Sequence, residues 1–271
     1  MEVRIADKTD FTARLIIEGA DVPFANSLRR IMLTEVPSMA IDEIVVLENS
    51  SILHDEILAH RLGLVPLRTD LDSYNLPEEC PCKSEFGCNL CRVTLTLDVE
   101  ATDSVRTVYS SDLIPSNPDI KPVSGKIPIV KLAPTQRMRL EAYAQLGKGK
   151  DHAKWQPVSV CAYRYFPKIK INEKRCDACS KCVEVCSKRV LQNVGKKVAT
   201  RDIAECTLCQ DCVDSCPKDP AAIEVSWDKN AFIFDIESNG GLSSERILFE
   251  ALKILDGKVE NFLNLLKEKK G

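Results

Sequence analysis

Residues 21–37, Asp21-Val-Pro-Phe-Ala-Asn-Ser-Leu-Arg-Arg-Ile-Met-Leu-Thr-Glu-Val-Pro37, spell out one short helix with both ends marked. Asp21 offers a carboxylate to the first free backbone N–H groups, Pro23 suits the first turn, and Pro37 forbids continuation. Phe24, Leu28, Ile31 and Met32 fall at i, i+4, i+7 and i+8 on one apolar face, while Arg29, Arg30 and Glu35 lie largely off it. A helix this short cannot bury its stripe alone. Leu248, Leu252, Leu255, Val259, Phe262 and Leu266 alternate four and three apart along a second, longer helix at the other end of the chain. We therefore expect an interface built from Phe24, Leu28, Ile31, Leu248, Leu252, Leu255, Val259 and Phe262, with everything between the two helices reading as an insertion.

Composition sets the frame for that insertion. A chain of 271 residues, 44% hydrophobic and 28% charged, has room for one large or two modest domains with proper cores. A formal net charge of −3 gives no whole-chain drive toward nucleic acid or an anionic membrane. No stretch approaches the ~20 consecutive apolar residues of a membrane span, and Met1-Glu-Val-Arg lacks a signal peptide's order, so a cytoplasmic setting is expected.

Between the helices the pattern is mostly that of strands. Residues 1–19 predict two strands joined by a hairpin at Asp7–Asp10, and Ala40–Leu47 a third. Asp55–Leu64 reads as a helix ended by Gly63 and Pro66. Strands are expected at Arg92–Val99 and Val105–Ser110, with Ala101-Thr-Asp-Ser as their turn, and again at Ile127–Leu132 and Met138–Leu146. Ala222–Trp227 and Ala231–Ile236 predict two strands around an Asp228-Lys-Asn turn. Ser243 or Ser244 caps the last helix, Gly257 weakens it, and Lys267–Lys270 reads as a solvated end. The fold class is α+β.

His60 and Arg61 invite a catalytic reading, but no acidic or nucleophilic partner lies at a telling spacing, and a surface or interface pair is favoured. Gly147-Lys-Gly-Lys-Asp-His-Ala-Lys-Trp155 is glycine-rich and basic, yet it lacks the Gly-x4-Gly-Lys-Ser/Thr spacing of a phosphate cradle. Clustered aspartates able to hold two magnesium ions are not found either, so no catalytic residues are assigned.

The thirteen cysteines carry most of the chemistry. Without a signal peptide they read as metal ligands rather than disulfides. Cys80, Cys82, Cys88 and Cys91 can close a tetrahedron around zinc, with Pro81 and Gly87 allowing tight turns; free thiols on a loop are the alternative. Cys176-x2-Cys179-x2-Cys182-x3-Cys186 recurs as Cys206-x2-Cys209-x2-Cys212-x3-Cys216-Pro217, the doubled spacing of bacterial-type ferredoxins. There three close thiolates clasp one cubane and the fourth crosses to the other. That assigns [4Fe-4S] cluster one to Cys176, Cys179, Cys182 and Cys216, and cluster two to Cys206, Cys209, Cys212 and Cys186. Ser187 stands where the second run has Pro217, and zinc at these positions is the alternative. Cys161 reads as a small buried side chain.

Asn26–Arg30, Asp55–Pro66 and Gly149–Trp155 together resemble the signature segments of the alpha-like RNA polymerase subunits, whose archaeal members are of the D type. The resemblance spans nearly the whole chain. It implies a discontinuous dimerisation domain at residues 1–39 and 228–271, and an inserted β-rich domain at 40–227 carrying a zinc loop (80–91) and a ferredoxin-like module (168–226). It also implies a non-catalytic assembly role in transcription: pairing with a small subunit L, joining subunits N and P as a platform for the catalytic subunits, and making no direct contact with nucleic acid. The Gly147–Trp155 loop looks like a surface docked on the second-largest subunit, with merely solvated lysines as the alternative. A ferredoxin-like electron carrier and a homodimeric alpha-like scaffold are the rival functions.

Overall fold

Alternating apolar and polar residues put most of the chain into strands, and the computed structural model describes residues 1–84 and 86–268. In chain order the elements begin β1 (Glu2–Lys8), β2 (Thr12–Glu18), α1 (Val22–Thr34), β3 (Ser38–Asn49), α2 (Asp55–Gly63) and β4 (Arg92–Glu100). They continue with β5 (Arg106–Tyr109), β6 (Ile114–Pro115), β7 (Pro128–Leu132), β8 (Arg137–Gly147) and β9 (Val158–Ile171). The last are α3 (Lys181–Glu184), β10 (Leu191–Val194), β11 (Lys197–Thr200), α4 (Asp211–Asp214), β12 (Ile223–Ser238) and α5 (Ser244–Glu268). They fall into two compact units. One comprises Met1–Ala6, Arg14–Ala25 and Ala162–Asp235; the other comprises Asp7–Ala13, Asn26–Cys161 and the chain from Ile236.

The larger unit is built on an antiparallel sheet of order β3-β8-β4-β6. Val93, Leu95, Leu97 and Val99 of β4 share a buried face with Met138, Leu140, Ala142, Ala144 and Leu146 of β8, and Leu58 and Leu62 of α2 join the same core. Burying such an alternating face stabilises the sheet at roughly 25 cal/mol per Å² of apolar surface. It also decides the pairing. β4 pairs with β8 and β6, and β5 pairs with β7, so the hairpin expected through Ala101-Thr-Asp-Ser does not form. The Ala101 N–H instead donates to the Gln136 carbonyl at 2.9 Å, continuing the β4–β8 ladder past its last paired residues.

Gly147–Trp155 is not a loose basic loop. Trp155 is buried, and its Nε1 donates to the Gln145 carbonyl at 3.2 Å while its own carbonyl accepts from Ser38 Oγ at 2.7 Å. Lys154 Nζ lies 2.5 Å from Asp42 Oδ1 and 4.3 Å from the Trp155 ring centroid, with its side chain only 12% exposed. Lys150 N–H donates to the Thr34 carbonyl at 2.9 Å, closing the loop onto the end of α1. Two glycines allow this approach: a Cβ at Gly147 would meet the Trp155 ring at 2.3 Å, and one at Gly149 the Leu33 carbonyl oxygen at 2.2 Å.

In α1 the Phe24 N–H donates to Asp21 Oδ1 at 2.9 Å, the expected cap. Leu28, Ile31 and Met32 are buried within this chain, and Phe24 is half-buried. The expectation that Leu28 and Ile31 present a free face therefore needs correction, because this chain already covers them. In α5 the Arg246 N–H donates to Ser243 Oγ at 3.2 Å, which makes Ser243 the cap; Ser244 Oγ donates to the Thr9 and Thr12 carbonyls, both at 3.3 Å. Ile247 and Ala251 are buried, but beyond them Leu252, Val259, Phe262 and Leu266 are exposed, and the helix continues without a break past Gly257. Lys269 and Lys270 lie outside the described residues. Among the described residues no helix is long and apolar enough to cross a membrane.

The smaller unit holds a sheet of order β1-β2-β12-β9 and the hairpin β10-β11. Here β12 is one strand of 16 residues, not two strands around an Asp228 turn. Asp228 instead pairs with Lys168 of β9 at 2.7 Å. An aromatic ladder holds the same two strands together: Tyr163 packs on Phe232 and Phe234, and Tyr165 on Phe232 and Trp227, at centroid distances of 5.4–6.0 Å. Such pairs contribute about 0.5–1.5 kcal/mol each beyond area burial, enough to override a weak turn signal.

The Gly149→Ala variant should lose about 2 kcal/mol or more of stability, since its methyl must displace the backbone of α1. Thermal or denaturant unfolding checks this, and an unchanged midpoint would refute the close packing of loop on helix.

Candidate metal centres

The first cysteine set sits on a loop pinned at both ends. A short turn at Pro77–Glu79 leads into Cys80, Gly87 reverses the chain at φ +72°, and Cys91 leads directly into β4. Arg92 ties the exit down: its guanidinium lies 4.3 Å from the Tyr143 ring centroid, donates to the Phe86 carbonyl at 3.0 Å and pairs with Glu43. The four Sγ atoms lie within 4.8 Å of one another. Cys80–Cys88 is 3.7 Å, while Cys82–Cys91 and Cys88–Cys91 are 3.9 Å. Four sulfurs placed tetrahedrally at about 2.3 Å from one metal ion stand about 3.8 Å apart, so the donor set fits a thiophilic ion.

Electrostatics favour thiolate at the exposed member. A backbone hydrogen bond from Ser84, with help from the Cys80 sulfur, lowers Cys82 to about 7. The Cys82 backbone also lowers Cys80, but burial and the three neighbouring sulfurs outweigh it and push Cys80 up to about 12. Burial raises Cys91. Four such thiols cannot all ionise unless a cation neutralises them.

The other eight cysteines form two sets in the smaller unit. The chain repeats itself at an offset of thirty residues: left-handed backbone at Ala178 and Ser180 (φ 55° and 67°) recurs at Leu208 and Gln210 (φ 61° and 72°). Each pair leads into a four-residue helix, α3 or α4. Cys176, Cys179, Cys182 and Cys216 line one cavity with Ile171, Val198 and Ile223. Cys186, Cys206, Cys209 and Cys212 line a second with Ile169, Leu191 and Val225. Each cavity thus draws three sulfurs from one run and one from the other.

Backbone N–H groups aim at several of these sulfurs: Val190 at Cys186 (3.3 Å), Leu208 at Cys206 (3.4 Å) and Ala222 at Cys216 (3.3 Å). Burial pushes Cys212 up to about 11 and raises Cys182. It also raises Cys216, where hydrogen bonds from the Lys218, Ala222 and Ile223 backbones outweigh it and leave that thiol lowered. All-sulfur donors, an apolar lining and inward N–H groups fit a sulfur-rich cluster.

The remaining candidates sit apart from both sites. His60 is exposed, and Arg61 Nη2 donates to the Pro128 carbonyl at 2.9 Å, fastening α2 to β7. Cys161 lies 3.8 Å from the Arg29 carbonyl, its thiol pushed up to about 12 by burial. Sequence reasoning did not single out Arg14, Arg164 and Asp235, which surround the chain before Cys206. Spacing carries no signal for them, because they come from three distant strands.

Residues 14–259 match the family model described as the RNA polymerase Rpb3/Rpb11 dimerisation domain. The chain belongs to this family. Its relatives align end to end. A DNA-directed RNA polymerase subunit Rpo3 from Methanosphaera stadtmanae is 41% identical over 271 residues, 99% of each chain. The Rpo3 of Methanothermobacter thermautotrophicus is 41% identical over 266 residues, 97% of this chain and 98% of its own. That of Pyrobaculum calidifontis is 41% identical over 271 residues, 99% and 97%. Membership of the family gives the exposed face of α5 its context: Leu252, Val259 and Phe262 are 41%, 50% and 62% exposed.

Replacing Cys91 by serine should remove about one equivalent of tightly held divalent metal from the chain, by metal analysis after gel filtration. Binding at this loop should weaken as pH falls below about 7, where Cys82 takes up its proton and each thiol must release one to bind. A cobalt titration followed by its thiolate absorption checks the sign; affinity that rises on acidification would exclude a thiolate site.

Proposed function

We propose that this chain is the non-catalytic assembly component, of the archaeal D type, in a DNA-directed RNA polymerase. The family match along residues 14–259 carries the reading, together with a terminal helix whose outer apolar residues Leu252, Val259, Phe262 and Leu266 are exposed among the described residues. In this reading residues 1–39 and 228–271 pair with subunit L. The pair joins subunits N and P as a platform for the catalytic subunits, in the cytoplasm and without direct contact to nucleic acid. The outer side of Gly147–Trp155, where Lys150 is exposed, is the surface offered to the second-largest subunit.

Cys80, Cys82, Cys88 and Cys91 hold one zinc ion in this reading. Cys176, Cys179, Cys182 and Cys216 hold one [4Fe-4S] cluster, and Cys206, Cys209, Cys212 and Cys186 a second. Bound clusters supply electron-accepting capacity and crosslink the two runs; the cysteines themselves act as the module's core. That need is visible in the packing, since the only fully apolar side chains buried in this cluster of the core are Leu191, Val198, Ile223 and Val225 among the described residues. Four buried aliphatic residues are a small core for so much chain, and metal–thiolate bonds compensate. An electron carrier is the second reading, favoured by the paired sulfur-lined cavities alone; it predicts rapid electron exchange by the isolated chain.

Changing Leu252 and Phe262 together to aspartate should abolish co-purification with L while leaving this chain folded, because both side chains already face outward. Wild-type recovery of L would place the interface elsewhere. Replacing Cys179 and Cys209 by serine should lower iron content and weaken assembly with the large subunits, while L binding persists. A pull-down with iron counted separates the outcomes: loss of L alongside iron would sink the division of labour.

A further inference from the structure

Of the two sets that line cavities, the second (Cys206, Cys209, Cys212 and Cys186) is entered through Ala204, Glu205 and Cys206, which side chains from the sheet grip. Arg164 of β9 donates through Nη1 to the Ala204 carbonyl at 2.8 Å and to the Cys206 carbonyl at 3.3 Å. Arg14 of β2 reaches Glu205 Oε1 through Nη1 at 2.5 Å. One carboxylate joins the two guanidinium groups: Asp235 of β12 accepts from Arg14 Nε at 2.6 Å and lies 3.9 Å from Arg164 Nε. Residues 204, 205 and 206 are thus each held from two strands of one sheet, β2 and β9, and Asp235 of a third, β12, joins the two arginines. An isolated half-exposed ion pair contributes little, but guanidinium forks with several partners each fix geometry as well as charge.

The first of the two, Cys176, Cys179, Cys182 and Cys216, shows no guanidinium clamp onto a strand interior among the described residues. The N–H of Cys176 donates to the Asn172 carbonyl at 3.0 Å, Asp177 pairs with Lys218 at 2.8 Å, and Arg175 donates to the Pro220 carbonyl. Lys218 and Pro220 follow Cys216, which lines the same cavity as Cys176. That set is held by contacts among its own flanks and by the adjoining ends of β9 and β12, where the Ala222 and Ile223 backbones reach Cys216, whereas the second is fastened to strand interiors by Arg14 and Arg164.

We propose that Arg14, Arg164 and Asp235 couple the second cysteine set to the sheet β1-β2-β12-β9, so that loss of its metal cluster loosens the sheet while loss of the first does not. The inference rests on the cluster reading above. Arg164 is a positioning residue: it holds the carbonyl of a ligand and touches no sulfur. A cluster bound to Cys206 fixes residues 204–206 from one side and the guanidinium groups fix them from the other. Emptying the set frees the backbone that Arg164 and Glu205 lock, and the charges of Arg14, Arg164 and Asp235 lose their shared geometry.

The test is hydrogen exchange by mass spectrometry on the full chain, with iron and sulfide counted in the same samples. Cys209→Ser should speed exchange about tenfold in peptides spanning Arg14, Arg164 and Asp235, and Cys179→Ser should leave them within about twofold of native. Arg164→Gln keeps all eight ligands, so a chelator should strip half of its iron several-fold faster than the other half, with Arg164→Lys intermediate. Equal exchange in the two cysteine variants, or uniform iron loss from Arg164→Gln, overturns the coupling. Native chain holding neither iron nor sulfide overturns the cluster reading itself, and this inference with it.

Discussion

β8 lies between β3 and β4, and its apolar face is the surface on which the larger unit is assembled. One edge of this arrangement carries α2; one end, where Ser38 pairs with Gly147, carries the Trp155 loop; and Cys91 enters β4 directly from the four-cysteine loop. The register of β8 therefore sets the position of the Trp155 loop and of the Cys80–Cys91 loop together. A slip of one residue would turn Leu140, Ala142 and Ala144 to the outside, which explains why pairing with β8 prevails over a local hairpin from β4 to β5.

The smaller unit solves the problem of burial differently. Its strands contribute an aromatic ladder, but the segment from α3 to α4 has few aliphatic side chains to bury, and sulfur occupies much of its interior. Left-handed backbone at Ala178, Ser180, Leu208 and Gln210 bends each run so that its sulfurs converge. Those conformations cost energy for residues that carry a Cβ, and convergence of buried thiols is unfavourable without a cation. Both costs are intelligible if metal coordination supplies the offsetting energy.

The terminal helix has the opposite character. Its first turns are held by Ser243, Ser244 and an Arg246–Asp72 pair at 2.7 Å, while its outer turns expose a continuous apolar stripe. Anchored at one end, α5 leaves its apolar outer turns exposed among the described residues. This stripe and the cysteine sets lie in separate stretches of the chain, so each can be altered without changing the residues of the other.

Local chemistry was legible in the sequence by itself. The Asp21 cap, the α5 stripe, the β4 and β8 alternation and the membership of each cysteine set follow from spacing, because helices, strands and thiolate sites impose short, fixed periods. Three segments of sequence also point to the alpha-like polymerase family. What only the tertiary structure decided depends on partners far apart in the chain. It covers Leu28 and Ile31, makes β12 continuous through its pairing with Tyr163 and Tyr165, turns Lys154 from a solvated charge into a latch on Asp42 and Trp155, and gathers Arg14, Arg164 and Asp235 around Cys206. No period in sequence encodes such meetings; they arise when sheets bury their faces and leave particular charges within reach of one another.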